Sequence, residues 1–472
     1  MTGTDRIVKR EVLYIQVKLT SPLSVSSGEN EWSDSDVLRD AEGNPYVSGS
    51  SIAGAMRAYL NFEKNEDCFM GFSGQGYGTA DGRMSSLFIS DMTFDGTHSA
   101  DIRDFVSLDE NKTAKAGSKF DMEIIEAGAR AHFYMELTVR ENDDADEMHR
   151  NIGRFFCGVT SGEIRLGSKK TRGFGEFEIL AVKSRTYDNS NFPEYANAYE
   201  DTAWVSIPDS LKDWMSHADD CAGMVHIEVP LRMRGGISIR RYAAKKGEPD
   251  FVHITGNGVP VIPGSSMAGA LRSRVENILH ELEMAGVQIP EKSGIVNTMF
   301  GYVDKNEACA SNVIISETEI EDAKPLVMVR TGVSRFESAV KQGALYKEKT
   351  FVDGTLKLEI LVRGDSWVTG LLMLAIKDLQ NGLLAVGGQT SIGRGIFEAA
   401  GPVSIDGKTG IKDMPWDEMS EAQKKESFAA ALKENSDWIE ENYIRNFVSN
   451  MASMTLYGKS GSGMIQKEGI VS

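Results

Sequence analysis

An internal repeat dominates this sequence. Residues 45–57 read Pro-Tyr-Val-Ser-Gly-Ser-Ser-Ile-Ala-Gly-Ala-Met-Arg, and residues 260–272 read Pro-Val-Ile-Pro-Gly-Ser-Ser-Met-Ala-Gly-Ala-Leu-Arg. A second pair follows at an offset of about 220 residues: Leu-Gly-Ser-Lys-Lys-Thr-Arg-Gly-Phe-Gly-Glu-Phe at 166–177 and Val-Gly-Gly-Gln-Thr-Ser-Ile-Gly-Arg-Gly-Ile-Phe at 386–397. Between these markers, Ser-Leu-Phe-Ile-Ser-Asp at 86–91 matches Asn-Val-Ile-Ile-Ser-Glu at 312–317. Three markers in one order imply two copies of one domain, and the duplication spans most of the chain.

Each copy reads the same way. An alternating strand opens it (12–19; 225–231), and a long polar loop leads to a helix for which Ser50 and Ser51, or Ser265 and Ser266, are suitable N-caps. A short apolar strand follows, then a polar excursion (101–127; 324–353), a third strand (130–139; 355–362), a second helix (145–157; 367–380), the Gly-rich loop and a closing strand. This βαββαβ order predicts an α+β protein with two tandem ferredoxin-like (RRM-like) domains, both helices on one face of an antiparallel sheet. The expected divisions are a first domain at 1–185, a linker or accessory segment at 186–222, a second domain at 223–405 and an extension at 406–472. That extension has no counterpart in the first copy. It reads as helical, with aromatics at helical intervals (Phe428, Trp438, Tyr443, Phe447), and ends in a mobile Gly- and Ser-bearing tail from 459.

The 472 residues are 41% apolar and 25% charged, which excludes disorder as the main state. No apolar run reaches the roughly 18 residues of a membrane span, and the N-terminus lacks a signal-peptide layout, so a cytoplasmic protein is expected. The four cysteines (Cys68, Cys157, Cys221, Cys309) are scattered and form no Cys-x-x-Cys pair, against a disulfide framework or a structural zinc site. The net charge of −18 argues against nonspecific nucleic-acid coating, so any such site must be a local basic stripe.

The helix opening Gly-Ser-Ser-x-x-Gly-x-x-Arg, the Gly-rich loop ending Arg-Gly-Phe-Gly and the Phe300-Gly301 turn together resemble the RAMP superfamily of CRISPR-associated proteins. The chain looks most like a tandem fusion of two backbone subunits of type III effector complexes, of the type III-D-like kind. The resemblance implies an antiviral ribonucleoprotein subunit that holds CRISPR guide RNA and captures complementary target RNA. The local chemistry agrees. Gly49, Ser50 and Ser51, and Gly264, Ser265 and Ser266, open helices whose amides can meet phosphates. In the first Gly-rich loop Lys169, Lys170, Arg172 and Gly173 offer charge and close approach, and in the second Gln389, Thr390 and Arg394 rely more on neutral donors. The loop spacing fits neither a dinucleotide fold nor a P-loop. Arg57 and Arg272 are further RNA-binding candidates, with a surface ion pair as the plainer reading. Ala53 and Ala268 stand where the family often has a lysine.

In the resembled subunits an aspartate in the loop after the first strand serves metal-dependent cleavage of target RNA. The family pattern Asp-x-x-Val-x-x-Asp falls on Asp34, Val37 and Asp40, with Asp36 the near alternative. Asp250 matches by approximate position in the second copy, and His253 beside it is a possible acid or base. The expected chemistry is endoribonuclease action, in which the 2′-hydroxyl of RNA attacks and a divalent metal (Mg²⁺ or Mn²⁺) on Asp34 or Asp250 offsets developing charge. The excursions resemble β-hairpin thumbs (105–122; 328–351) that wedge into a guide–target duplex, the second distinctly basic with Arg330, Arg335, Lys341, Lys347 and Lys349. Implied partners are guide RNA, target RNA, other RAMP subunits, the large polymerase-like subunit and small helical subunits. Two alternatives stand beside this reading: a purely structural RNA-binding backbone without nuclease activity, and a guide-processing endoribonuclease, which the scarcity of loop histidines disfavours.

Overall fold

The computed structural model describes residues 6–26, 34–61, 69–72, 82–96, 100–108, 113–200, 204–216, 223–242, 247–289, 291–304, 307–411 and 421–450. The chain divides into two compact units, Met1–Lys170 with Phe174–Gly223, and Thr171–Gly173 with Met224–Ser472.

The first unit is built on β1 (Ile7–Leu19), whose alternation turns Leu13, Ile15 and Val17 into the core and Tyr14, Gln16 and Lys18 to the opposite face. There follow β2 (Tyr46–Val47), α1 (Gly49–Leu60), β3 (Leu87–Ile89), β4 (Met92–Phe94), a hairpin of β5 (Ala100–Phe105) and β6 (Phe120–Ile125), β7 (Arg130–Arg140), α2 (Ala145–Thr160) and β8 (Phe177–Tyr187). β1 lies antiparallel between β7 and β8, Ile15 facing both Phe133 and Val182, while β3 and β4 pair with β7 on its other side. This is the ferredoxin-like strand order expected from the sequence. Ile52 and Met56 of α1 and Ile152, Phe155 and Val159 of α2 pack on one face. β9 (Val205–Ser206) then pairs with β8, and α3 (Pro208–Ser216) packs on α2 at Gly153, where a Cβ would lie 2.2 Å from the Trp214 carbonyl oxygen.

The second unit runs β10 (Val225–Arg234), β11 (Gly236–Ile237), β12 (Arg240–Tyr242), β13 (Phe251–His253), β14 (Thr255–Gly256), β15 (Val259–Ile262), α4 (Gly264–Met284), α5 (Lys292–Phe300), β16 (Tyr302–Asp304), β17 (Glu307–Cys309), β18 (Val313–Ile315), β19 (Thr318–Glu319), a hairpin of β20 (Lys324–Arg330) and β21 (Tyr346–Val352), β22 (Thr355–Val362), α6 (Ser366–Gln380), β23 (Ile396–Ala399) and β24 (Ser404–Ile405). β10 sits between β22 and the β23 and β24 pair, and β18 flanks β22, so the same strand order recurs. α4 and α6 cover Ile227, Val229 and Leu231. α7 (Glu421–Ile439) passes through a π-helical turn (Glu440–Ile444) into α8 (Arg445–Asn450), which buries Phe447 against α6. There Gly370 approaches the Tyr443 carbonyl so closely that a Cβ would sit 2.4 Å from its oxygen. In three dimensions the C-terminal extension therefore does have a counterpart: α3 rests on α2 through a glycine as the α8 region rests on α6.

The helix starts differ from expectation. Ser48, not Ser50 or Ser51, caps α1, its hydroxyl accepting from Ser51 N–H, and α4 begins after Pro263 with no side-chain cap. The glycines decide this: a Cβ on Gly49 would lie 2.2 Å from the Ile89 carbonyl oxygen and one on Gly264 would lie 2.1 Å from that of Ile315, so each helix can begin only where its first residue has no side chain. Cys157 and Cys309 form no disulfide among the described residues, while Cys68, Cys221, residues 109–112 of the first expected thumb and the tail from 451 lie outside them. Among the described residues no helix is long and apolar enough to cross a membrane.

Candidate nucleic-acid interface

Both Gly-rich loops have one backbone. Lys169 and Gln389 take the left-handed conformation (φ 55° and 61°), short 3-10 turns follow at Lys170–Arg172 and Thr390–Ile392, and Gly175 and Gly395 return at positive φ. A Cβ on either returning glycine would sit 1.8 Å from the carbonyl oxygen of Leu166 or Val386. The loops are pinned alike to the end of the first strand: Ser168 and Gly175 N–H donate to Ser24 and Pro22 carbonyls, and Gly388 and Gly395 N–H to those of Ser238 and Gly236. Lys170, Arg172 and Thr390 lie on these turns, and Lys170 and Arg172 are exposed. Lys169 is turned inward, its ammonium 4.6 Å from the Phe120 ring centre.

Other sequence candidates have protein partners. Arg57 donates to the Gly71 and Met70 carbonyls, and Arg272 to the Gly301 carbonyl, Asn297 and Glu276, so both arginines brace the turn after the first helix region. Arg394, the arginine candidate of the second Gly-rich loop, has a side chain that is 6% exposed and a guanidinium paired with Glu348. His253 is not placed to act as an acid or base: it is fully buried, its Nδ1 accepts from Ile239 N–H at 3.0 Å, and its Nε2 lies 3.1 Å from the Val261 carbonyl oxygen, to which it donates. Burial pulls its pKa from 6.5 down to about 4.

The two carboxylates hold matching positions. Leu23 bridges Ile125, and Ile237 pairs with Phe351; counting back equally along β6 and β21 sets Asp121 against Lys347. Asp34 accepts from Asp121 N–H at 3.0 Å, and Asp250 accepts from Lys347 N–H at 2.7 Å. The approximate sequence match of Asp34 with Asp250 is thus a geometric one, each tying its loop to the returning strand of the thumb. Both are exposed, whereas Asp36 is 6% exposed. Asp40 accepts from Asn44 N–H at 2.7 Å in a tight turn, and that bond holds its carboxyl below the usual range. Glu123 fixes the Asp34 loop from behind, accepting from Val37 N–H and pairing with Arg39.

The surroundings differ. Asp121 itself accepts from Asp34 N–H at 2.9 Å, so the first unit gathers two carboxylates, an oxygen donor set that suits a hard divalent cation. In the second unit a lysine replaces the second carboxylate, and this donor set does not fit a divalent metal. Among the described residues no group of three or more His, Cys, Asp or Glu side chains could hold a metal ion. The sequence reading missed Glu348, Arg240 and Asp121; the inward-facing Glu in Tyr-Lys-Glu-Lys-Thr-Phe-Val was the available signal.

A family model of the RAMP superfamily matches residues 16–178 and 226–398, one stretch for each βαββαβ unit. The chain belongs to the RAMP superfamily, CRISPR-associated RNA-binding proteins that work in effector complexes with RNA and other subunits. No curated protein matches it.

Proposed function

We propose that this protein is a guide-RNA-binding backbone subunit of a type III effector, two such subunits in one chain, and that its first unit cleaves the captured target RNA beside Asp34. The observation that carries the reading is the pairing of exposed Asp34 with half-buried Asp121 at the root of the first thumb, where a duplex splayed by the hairpin would present a phosphodiester. Lys170 and Arg172 hold backbone phosphates and align the strand so that its own 2′-hydroxyl is in line with the leaving oxygen. A divalent cation held by Asp34 and Asp121 would supply charge stabilisation at the reacting phosphate. The second unit holds RNA without a metal.

A second reading has its own support. Each carboxylate already accepts from a thumb amide, so Asp34 and Asp250 also serve as latches between loop and hairpin in a purely structural backbone. Labelled guide-complementary RNA, added to the assembled complex in Mg²⁺ or EDTA, separates the two. Asp34→Asn is expected to erase the product band from the first unit with RNA binding intact, and Asp250→Asn to leave cutting unchanged. Survival of every band in Asp34→Asn and in Asp121→Asn would leave the structural reading.

A further inference from the structure

At the base of the second thumb, the Glu348 carboxylate is ringed by three guanidiniums. Arg394 pairs with Glu348 Oε1, Arg240 Nη2 lies 3.4 Å from Oε2, Arg330 Nε lies 4.0 Å from Oε2, and Gln389 Nε2 donates to Oε2 at 3.0 Å. Glu348 is 1% exposed and Arg394 is 6% exposed, while Arg240 and Arg330 are 33% and 32% exposed and form the rim. Three cations face one anion, leaving two positive charges in excess. Arg394 Nη2 and Arg330 Nε are buried without a hydrogen-bond partner.

The fold does not require this arrangement. In the first unit the pairing of Phe105 with Phe120 on β5 and β6 corresponds to that of Arg330 with Tyr346 on β20 and β21. By the same register Met122 stands for Glu348, and between the loop glycines Phe174 stands for Arg394. Phe105, Phe120, Met122 and Phe174 form an ordinary apolar cluster, with the Phe105 and Phe120 rings stacked 5.2 Å apart. An apolar base is therefore available to this fold, whereas the second unit buries the Arg394–Glu348 pair and sets two further guanidiniums on its rim, whose mutual repulsion an anion would relieve. Burial and the neighbouring charges of Arg330 and Arg240 pull Arg394 down to about 10, so it remains cationic at neutral pH.

We propose that Arg240 and Arg330 form an anion site on the rim of the second unit that takes one phosphate group, with the buried Arg394 beneath them adding its charge and Glu348 offsetting it. A planar guanidinium fork matches two phosphate oxygens, which a lysine ammonium does not. The site adjoins Asp250, since Phe251 pairs with Glu348 across the sheet and its ring lies 4.5 Å beneath the Arg240 guanidinium. That the phosphate belongs to an RNA backbone rests on the proposed function; the anion chemistry does not.

The test uses the full chain, wild type, Arg240→Gln/Arg330→Gln and Glu348→Gln, with two readouts. The first is the melting temperature in sodium pyrophosphate against sodium chloride of equal ionic strength. The second is the salt dependence of single-stranded RNA binding by fluorescence anisotropy. Pyrophosphate is expected to raise the wild-type melting temperature above the chloride value, to lose that effect in the double variant, and to have a larger effect in Glu348→Gln, which removes the competing carboxylate. The slope of log affinity against log salt is expected to shrink by about 0.7 in the double variant, one phosphate contact on a single strand. If the double variant does not fold, the enlarged response of Glu348→Gln still supports the anion site and an unchanged one refutes it. An arginine-dependent pyrophosphate effect in a protein that binds no RNA sinks the proposed function and keeps the anion site. RNA binding with unaltered slopes and no arginine-dependent pyrophosphate effect overturns the anion site and leaves the function standing.

Discussion

Acidification should destabilise the second unit through His253. The ring is fully buried, with Nδ1 and Nε2 each bonded to backbone, and its folded pKa of about 4 lies below the ordinary 6.5. Because the folded value is depressed, the unfolded chain takes up the proton first. The neutral histidine's contribution is therefore complete above pH 6.5, falls as pH drops below it, and is fully lost once pH passes about 4. Each unit of pKa difference corresponds to about 1.4 kcal/mol, so between pH 7 and pH 5 the loss assignable to this group is about 2 kcal/mol. His253→Gln removes the titration while keeping a side-chain acceptor and donor. Urea unfolding of wild type and variant at pH 7 and pH 5, with separate transitions fitted for the two units, gives the difference of differences. A wild-type loss about 2 kcal/mol greater than the variant's supports the argument. Equal losses would mean that the imidazole is solvated or charged in the folded chain, and the structural role given to it would be wrong.

Two further outcomes follow from the loops. Gly395→Ala, and likewise Gly175→Ala, puts a Cβ 1.8 Å from a carbonyl oxygen at positive φ, and should cost about 3 kcal/mol or more, read as a lowered unfolding midpoint of the affected unit; a change under 0.5 kcal/mol would refute the close approach. Lys170→Gln/Arg172→Gln should weaken single-stranded RNA binding and reduce its salt slope by about 1.4, two phosphate contacts, without moving the melting temperature; an unchanged slope removes both residues from the interface.

The repeat and the period of its strands carried the architecture into the sequence because both are local or self-referential signals. Leu13, Ile15 and Val17, and Ile227, Val229 and Leu231, alternate as half-buried strands must, and the duplicated helix openings and Gly-rich loops mark equivalent joints. The loop glycines were legible for a second reason, since a residue that must approach a carbonyl within van der Waals contact admits no substitute. The helix caps were not legible, because Gly49 and Gly264 begin their helices to clear strands distant in sequence. Arginine roles were the least legible. Arg57, Arg272 and Arg394 share a residue type with RNA ligands, yet what they bind is set by carbonyls and a carboxylate brought to them by the fold. Nor could one sequence tell that Asp34 and Asp250 face the same strand position, since loops of unequal length hide the register that β6 and β21 make plain.

The two units therefore kept their loop backbone and exchanged the chemistry around it. One has carboxylates at Asp34 and Asp121 above an apolar thumb base; the other has Asp250 and Lys347 above a guanidinium cluster. A drift of surface residues after duplication would scatter such changes. Here Phe105, Phe120, Met122 and Phe174 correspond to Arg330, Tyr346, Glu348 and Arg394, and an isolated Phe→Arg or Met→Glu change at such a buried site would leave a charge uncompensated. The buried Arg394–Glu348 pair avoids that, each charge compensating the other. In one polypeptide, a site whose oxygen donors suit a cation and a site whose guanidiniums suit an anion are thus built on the same backbone.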